Sequence, residues 1–588
     1  MMYLTYSQLL QLIKTLSVYS AADAKRETKE QWHSINWEKA YRVVRSLQRR
    51  IVAAIKENRW GKVKSLQWII THSFYAKVIA IKRVTENTGS RTSGIDGETW
   101  STRKAKWNAI STLKRKGYKA SAVKRVKIPK DNGKYRMLGI PTMRDRAMQA
   151  LYLLALEPVA ETNADIHSYG FRPYRNCHDA LEQCHIILSR KDAPQYILEG
   201  DIKACFDNIS HKWLTENIPI HKGTLIKWLK AGYIEKQSLY PTTSGTPQGS
   251  VISPVLANMV LDGLQQAIDK ACGIRQTGIA QSRRVNNPNS VHLIRYADDF
   301  VVSCKDKHVL QTVVQLVIET FLQERGLSLS TEKTSITAIE EGFDFLGQHI
   351  RKYKGKLLIK PSKKNVKTFL DKVQKLIRQS GSKSAYEMTI RLNSMIKGWA
   401  MYHRHIVARR TYTYVDNRIW NMLWKWALKR HRNKSKGWVK QRYFQVYKGR
   451  DWIFTASNKD SDVARIFHAT NISIKRHIKI RSQANPFDAT QEMYFEKRLQ
   501  RQLLNKFSGK QLHRFIYKRQ NGKCNWCQQP ITLQTGWHLH HLIPKHMGGK
   551  GNAKNLVMLH PVCHVQVHHQ KDYCCADHKR LKCLSRMR

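Results

Sequence analysis

The stretch Leu293-Ile294-Arg295-Tyr296-Ala297-Asp298-Asp299-Phe300-Val301-Val302 constrains this chain more than any other. Two apolar runs rich in β-branched and aromatic residues flank two adjacent aspartates, which predicts strand, tight turn, strand, with the acids at the turn. An Asp-Asp pair alone is most often a solvated turn. A third acid changes the reading, because Tyr196-Ile197-Leu198-Glu199-Gly200-Asp201 is another apolar run and Asp201 closes it. Neighbouring carboxylates repel each other, and repel phosphate, unless divalent metal lies between them. Asp201, Asp298 and Asp299, drawn from two strand ends, can hold two Mg²⁺ ions, one activating a hydroxyl nucleophile and one clamping phosphates.

Charge narrows the partners. Over 588 residues the formal net charge is +60, with Lys and Arg spread along the whole length. That predicts a long polyanion contacted by several domains, bound with strong salt dependence. No apolar stretch approaches the roughly 20 residues that span a bilayer, so no membrane partner is expected. The opening run from Tyr3 to Val18 lacks the basic leader of a secretory signal and reads as a helix or frayed end. About half of the 11 Cys fall in the last segment, which favours a metal site in a reducing cytoplasm over a disulfide scaffold.

Around the aspartates lies an ordered series of blocks. Trp37, Tyr41, Val44, Leu47, Ile51 and Ile55 recur at helical spacing, and a second run follows through Val63, Leu66, Ile70 and Phe74. The basic faces of these helices (Arg42, Arg45, Arg49, Arg50, Lys56, Arg59) are either solvated or available to RNA. After a glycine-punctuated loop at 88–97, a hairpin is predicted around Asn132-Gly133, with Ile128-Pro129-Lys130 on one arm and Arg136 to Pro141 on the other. Lys130 and Arg136 can reach a triphosphate, Arg136 with a bidentate fork. A core helix is expected over 148–159. Ser244-Gly245-Thr246-Pro247-Gln248-Gly249-Ser250 fixes a turn that lets backbone approach a nucleotide closely. The polar insertion between Cys272 and Pro288 reads as a flexible surface loop.

Taken in order, these blocks, with Ser168-Tyr169-Gly170-Phe171-Arg172-Pro173, Gly326 to Thr334 and Phe343 to Gly347, resemble a reverse transcriptase. Specifically, they resemble the multidomain proteins encoded by bacterial group II introns. The resemblance implies a right-hand polymerase with fingers and palm over 88–361, behind a helical extension at 1–87. It places Phe206 under the sugar, where it excludes a 2′-hydroxyl, and Gln248 beside the incoming dNTP. Met137, Tyr174 and Ser250 depart from the proline, glycine and glycine usual in the family.

Beyond Pro361 the pattern turns helical, with Leu392, Ile396, Trp399, Tyr402, His403 and Ile406 on one stripe. The segment Gly398 to His403 is similar to the family's thumb, here 362–430, which doubles as an RNA-splicing surface. Trp420, Trp424, Trp426, Trp438 and Trp452 lie among many cations, a mixture that suits base stacking plus phosphate contact, although some must be core. By resemblance, 431–505 is expected to bind target DNA.

The final segment, 506–588, carries separate chemistry. His564 and His568 are four residues apart, so on a helix they can grip one metal, and His540 can supply a third ligand. His541 is then free to take a proton from water. The set resembles the His-Asn-His (HNH) endonucleases, a ββα fold around one divalent metal. That likeness makes His541 the base and Asn555 the brace of its loop. It also implies a structural zinc held by Cys524, Cys527, His560 and Cys563, with His560 where relatives often carry cysteine. The bland alternative is a zinc-stapled DNA-binding knob.

The fold class expected is multidomain α+β: polymerase fingers and palm, helical thumb, basic DNA-binding linker and ββα-metal nuclease. The resemblance further implies a cytoplasmic, nucleoid-associated bacterial protein that partners intron RNA, target double-stranded DNA and dNTPs. It would assist splicing and cut DNA for target-primed reverse transcription. Two rival readings share these residues: an RNA-binding splicing factor with a vestigial polymerase, and a host-adopted reverse transcriptase–nuclease in defence or repair.

Overall fold

The computed structural model describes residues 32–567, apart from 33, 130–132, 134, 237, 278–282, 383, 459–460, 508–509, 534, 545–546, 562 and 565–566. Helix α1 (Trp37–Lys56) starts at Asn36, whose side chain accepts from the Lys39 amide, and buries Trp37, Val44, Leu47, Ile51 and Ile55. The next apolar run does not continue through Phe74 as the periodicity predicts. Ser73 adopts an extended backbone (φ −66°, ψ 131°), so α2 (Trp60–His72) stops and α3 (Phe74–Thr85) begins afresh. All three pack on α4 (Met143–Asn163), which exceeds the expected 148–159 because Thr142 caps it and Pro158 is carried inside it.

Before α4 comes the predicted hairpin, β1 (Val123–Pro129) against β2 (Tyr135–Ile140), antiparallel and extended on the β1 side by short strands at Tyr233–Glu235 and Ser238–Tyr240. Gly133 takes φ +77° in its turn, and Asn132 lies outside the described residues.

The palm follows. Helix α5 (Cys177–Leu188) backs an antiparallel sheet of β3 (Tyr196–Asp201), β4 (His292–Tyr296), β5 (Asp299–Cys304) and β6 (Ser335–Ala338), in the order β6-β3-β5-β4. Its strands read as continuous apolar runs because both faces are covered. Ile197, Ile294 and Val301 enter the core shared with α5, whereas Leu198, Leu293 and Val302 enter the core shared with the N-terminal helices. The insertion expected to be a flexible loop contains a two-stranded ribbon, Arg275–Thr277 against Arg283–Val285; its polar composition conceals backbone pairing.

A meander of β7 (Phe343–Phe345), β8 (Gln348–Tyr353) and β9 (Lys356–Pro361) leads into α6 (Lys363–Gln379), α7 (Ala385–His403) and α8 (Arg409–Arg430). A small sheet of β10 (Phe444–Tyr447), β11 (Arg450–Ser457) and β12 (Val463–Arg465) shares one core with these helices, running from Val366 to Ala469. The tryptophans there pack largely on each other. Trp424 lies 5.4 Å from the rings of both Phe444 and Trp452, and Trp426 is buried.

From Ile472 the chain runs extended back over the palm. Asp179, the third residue of α5, already closes a capping box with Asn176 and is fully buried. It accepts from His477 Nε2 at 2.9 Å, the Ile480 amide at 2.8 Å and Arg498 at 3.2 Å. Further along, Asp488 pairs with Lys56 and Glu492 with Arg49, so the chain itself covers part of α1's basic face. Helices α9 (Glu492–Lys506) and α10 (Gln511–Arg519) then deliver the chain to β13 (His538–His541) and β14 (Leu556–Leu559), an antiparallel pair. No helix among the described residues is long and apolar enough to cross a membrane.

Candidate active sites and metal centre

In the palm, Asp201 stands opposite Asp299 across the β3–β5 ladder, and Tyr296 pairs with Asp299 across the turn. Ala297 and Asp298 are therefore the two turn residues. Ala297 takes φ +58°. The 168–170 backbone presses against it so closely that a Cβ on Gly170 would lie 2.3 Å from the Ala297 nitrogen; only glycine fits. The turn is anchored from beneath by Arg295, a fully buried guanidinium that donates to Asn258 at 3.2 Å, Asp262 at 2.5 Å and the Ala297 carbonyl at 3.4 Å. Beside it, Arg172 grips both oxygens of Glu161, at 2.9 and 2.7 Å. A buried charge persists only when paired in this way.

From the turn that leads into β6, Lys333 Nζ donates to Asp201 Oδ2 at 2.8 Å. Asp299 keeps access to solvent, yet the surrounding walls partly desolvate it. That desolvation, with the charges of Asp298 and Asp201, pushes its carboxyl up to about 6, against the opposing pull of Lys333. Three oxygen donors converging with one carboxyl that resists ionisation suit a hard divalent cation, which would offset the repulsion. In the sequence Lys333 is one cation among the polar residues of the 326–334 block, with nothing local to mark its partner.

The nucleotide-binding candidates divide. Arg136 Nε donates to Gln248 Oε1 at 2.8 Å and the Gly139 amide donates to the Gln248 carbonyl at 2.7 Å, so hairpin and loop meet at these two residues. Ser250 has a role of its own, donating to the buried Gln149 side chain at 2.7 Å. Phe206 is buried under the same loop; its carbonyl accepts from the Thr246 amide at 2.7 Å, and its ring meets Phe171 edge-on at 6.3 Å. Lys130 lies outside the described residues.

In the last segment, His540 and His541 sit on β13 opposite Val557 and Leu556. The His564 ring meets those of His540 and His538 edge-on, each at 5.2 Å; His538 was not among the sequence candidates. His568 lies outside the described residues. Among the described residues, His541 Nε2 is buried without a hydrogen-bond partner. Asn555 spans the following loop, accepting from the Ile543 amide at 2.7 Å and donating to the carbonyls of Ile543 at 3.0 Å and Lys550 at 2.9 Å. Gly549 lets that loop close, since a Cβ there would lie 1.9 Å from the Ile543 carbonyl oxygen.

Behind this pair, Cys524, Cys527, His560 and Cys563 bring one ligand atom each within 4.8 Å of all the others, every residue buried. Tetrahedral zinc with thiolate bonds of about 2.3 Å needs separations of this order. His560 Nε2 lies 3.2 Å from the Pro530 carbonyl and donates to it, leaving Nδ1, 3.3 Å from Cys527 Sγ, with its lone pair towards the thiols. The residues fit the ion.

Four segments of the chain match known protein families. Residues 32–113 match the N-terminal domain of reverse transcriptase, and 128–350 match reverse transcriptase (RNA-dependent DNA polymerase). Residues 366–444 match the group II intron maturase-specific domain, and 524–570 match the HNH endonuclease. The chain is 30% identical to the group II intron-encoded protein LtrA of Lactococcus lactis over 391 residues, covering 57% of this chain and 65% of LtrA. It is 30% identical to protein YkfC of Escherichia coli over 339 residues, covering 52% of this chain and 88% of that protein. Maturase-like protein 1 of Euglena gracilis is 23% identical over 380 residues, covering 63% of this chain and 76% of its own length. The chain belongs to the family of group II intron-encoded proteins that join a reverse transcriptase and a maturase domain to a C-terminal HNH endonuclease domain.

Proposed function

We propose that the protein is an RNA-directed DNA polymerase which also assists splicing of the intron RNA encoding it and cuts target DNA to prime its own cDNA synthesis. The observation that carries this reading is the meeting of Asp201 and Asp299 across one ladder with Asp298 in the adjoining turn. Two Mg²⁺ ions held by these carboxylates would supply activation of the primer 3′-hydroxyl and neutralisation of the triphosphate. The protein's own groups do the rest. Arg136 and Lys130 bind the triphosphate of a dNTP, Gln248 orients it, and Phe206 lies beneath the sugar. The N-terminal layer, the thumb and the cationic surface of a chain with net charge +60 hold intron RNA. The partly exposed tryptophans around β11 face target double-stranded DNA.

In the nuclease, His541 takes a proton from the attacking water, and Asn555 holds the loop that presents it. His540, His564 and His568 would hold one divalent metal, which supplies stabilisation of the departing oxygen. Cys524, Cys527, His560 and Cys563 would hold structural Zn²⁺. The working setting is the bacterial cytoplasm, at the nucleoid. Primer extension on an RNA template tests the polymerase directly. Asp298→Ala should lower the rate about a hundred- to a thousandfold, the scale of losing a charge-stabilising group at the reacting centre. An unchanged rate would contradict the assignment.

A further inference from the structure

The zinc cage does not stand apart from the polymerase. Cys524, Cys527 and Cys563 belong to one continuous buried core that also holds Trp32, Trp37, Leu47 and Ile79 of the N-terminal layer. Trp526, within the knuckle turn, packs on the same core. From the polymerase side, Lys82 lies within electrostatic reach of Cys563, Tyr41 of Cys527 and Cys563, and Glu86 of His560. Lys82 donates to Glu86 at 2.7 Å, one helical turn on, and stands 5.3 Å over the ring of Trp37. A second cation, Lys106, stands 5.8 Å over Trp32. The side chains of Lys82 and Glu86 are only 12% and 20% exposed, so the pair is largely shielded from water.

Three thiolates and one neutral imidazole around Zn²⁺ carry a net charge of about −1. Lys82, partly offset by its ion pair with Glu86, and Lys106 put complementary cationic charge on the helical layer that shares a core with the cage. We propose that the zinc-loaded cage is the docking face that holds the nuclease on the N-terminal helical layer of the polymerase, with Lys82 as the positioning residue. Zinc binding and docking are then linked, each strengthening the other. The proposal rests on the cage taking zinc, as proposed above.

The test uses the full chain. Zinc content is measured by mass spectrometry, and amide hydrogen exchange is followed before and after removal of zinc with a chelator. If the cage docks the nuclease, exchange rises several-fold in the segments 37–41 and 78–86, as well as in 524–563, while α4 stays protected. In a competition against the chelator, Lys82→Glu should lower zinc affinity about tenfold. Unchanged protection of 37–41 and 78–86 after zinc leaves overturns the proposal, as does full zinc affinity in a folded Lys82→Glu protein. Should Lys82→Glu lose protection in α4 as well, the unaltered chain decides the matter alone. A purified protein that neither contains nor takes up zinc overturns the zinc assignment itself.

Discussion

The ammonium of Lys333, in the turn before β6, lies 2.8 Å from a carboxylate oxygen of Asp201. A cation at that distance competes with Mg²⁺ for the same oxygen. Lys333→Met should therefore lower the Mg²⁺ concentration that gives half-maximal primer extension, by about threefold on the scale of one screened charge pair. A Mg²⁺ titration of the two proteins measures this. A higher Mg²⁺ requirement in the variant would instead assign Lys333 to the phosphates.

Asp179 ties the palm to the extended segment after Ile472. Burial alone would raise its carboxyl, but hydrogen bonds from His477 and the Ile480 amide, with the charge of Arg498, hold it below the usual carboxylate range. Breaking a buried pair on one side costs about 3–5 kcal/mol. Asp179→Ala should lower the urea midpoint and open residues 474–490 to protease. A cleavage pattern identical to the parent's would remove the hub role. Because the folded pKa is depressed, this stabilisation is complete above about 4, the unfolded value, and is lost as pH falls through the folded value.

At the thumb–palm junction the pH dependence begins earlier. His403 is fully buried and its imidazole is lowered to about 3, chiefly by burial; His405, lowered mainly by burial as well, falls to about 4. Both stay neutral in the fold, whereas the unfolded chain takes up protons below about 6.5. Stability from this junction is full above that value and declines as pH falls towards 4. Thermal unfolding of the full chain should soften between about pH 6 and 4, and His403→Gln should flatten that decline. A melting temperature constant over the range would contradict it.

The nuclease and polymerase should separate cleanly. His541→Ala should abolish cutting of target DNA while leaving extension of a pre-annealed primer within about twofold, since distant independent sites act additively. Loss of both activities together would show that the histidine supports the fold rather than the cut.

Much of this was legible in the sequence where chemistry and backbone coincide. Asp298 occupies a turn because apolar strands flank it, whereas Asp299 already opens the second strand, and its pairing with Asp201 is visible only in the fold. Cys524, Cys527, His560 and Cys563 follow from the resemblance to HNH endonucleases, and the fold brings their ligand atoms together. What stayed hidden depends on distant partners. Arg295 reads as one more cation beside an aspartate, and only the fold reveals it buried beneath the turn with Asp262. Asp179 and His477 are 298 residues apart, beyond any local periodicity. The tryptophans of 420–452 carry no sign of which face they present, so an aromatic cluster and a stacking surface read alike.

Splicing assistance and polymerisation are joined in one chain, and a splicing assay tests this most directly. RNA transcribed from the DNA flanking the gene is incubated at low Mg²⁺ with the purified protein or with Asp298→Ala. Excision should depend on protein and survive the substitution, while cDNA synthesis is lost. Normal cDNA synthesis on a generic primed template, with no protein-dependent excision, would contradict it and favour a polymerase–nuclease adopted for defence or repair.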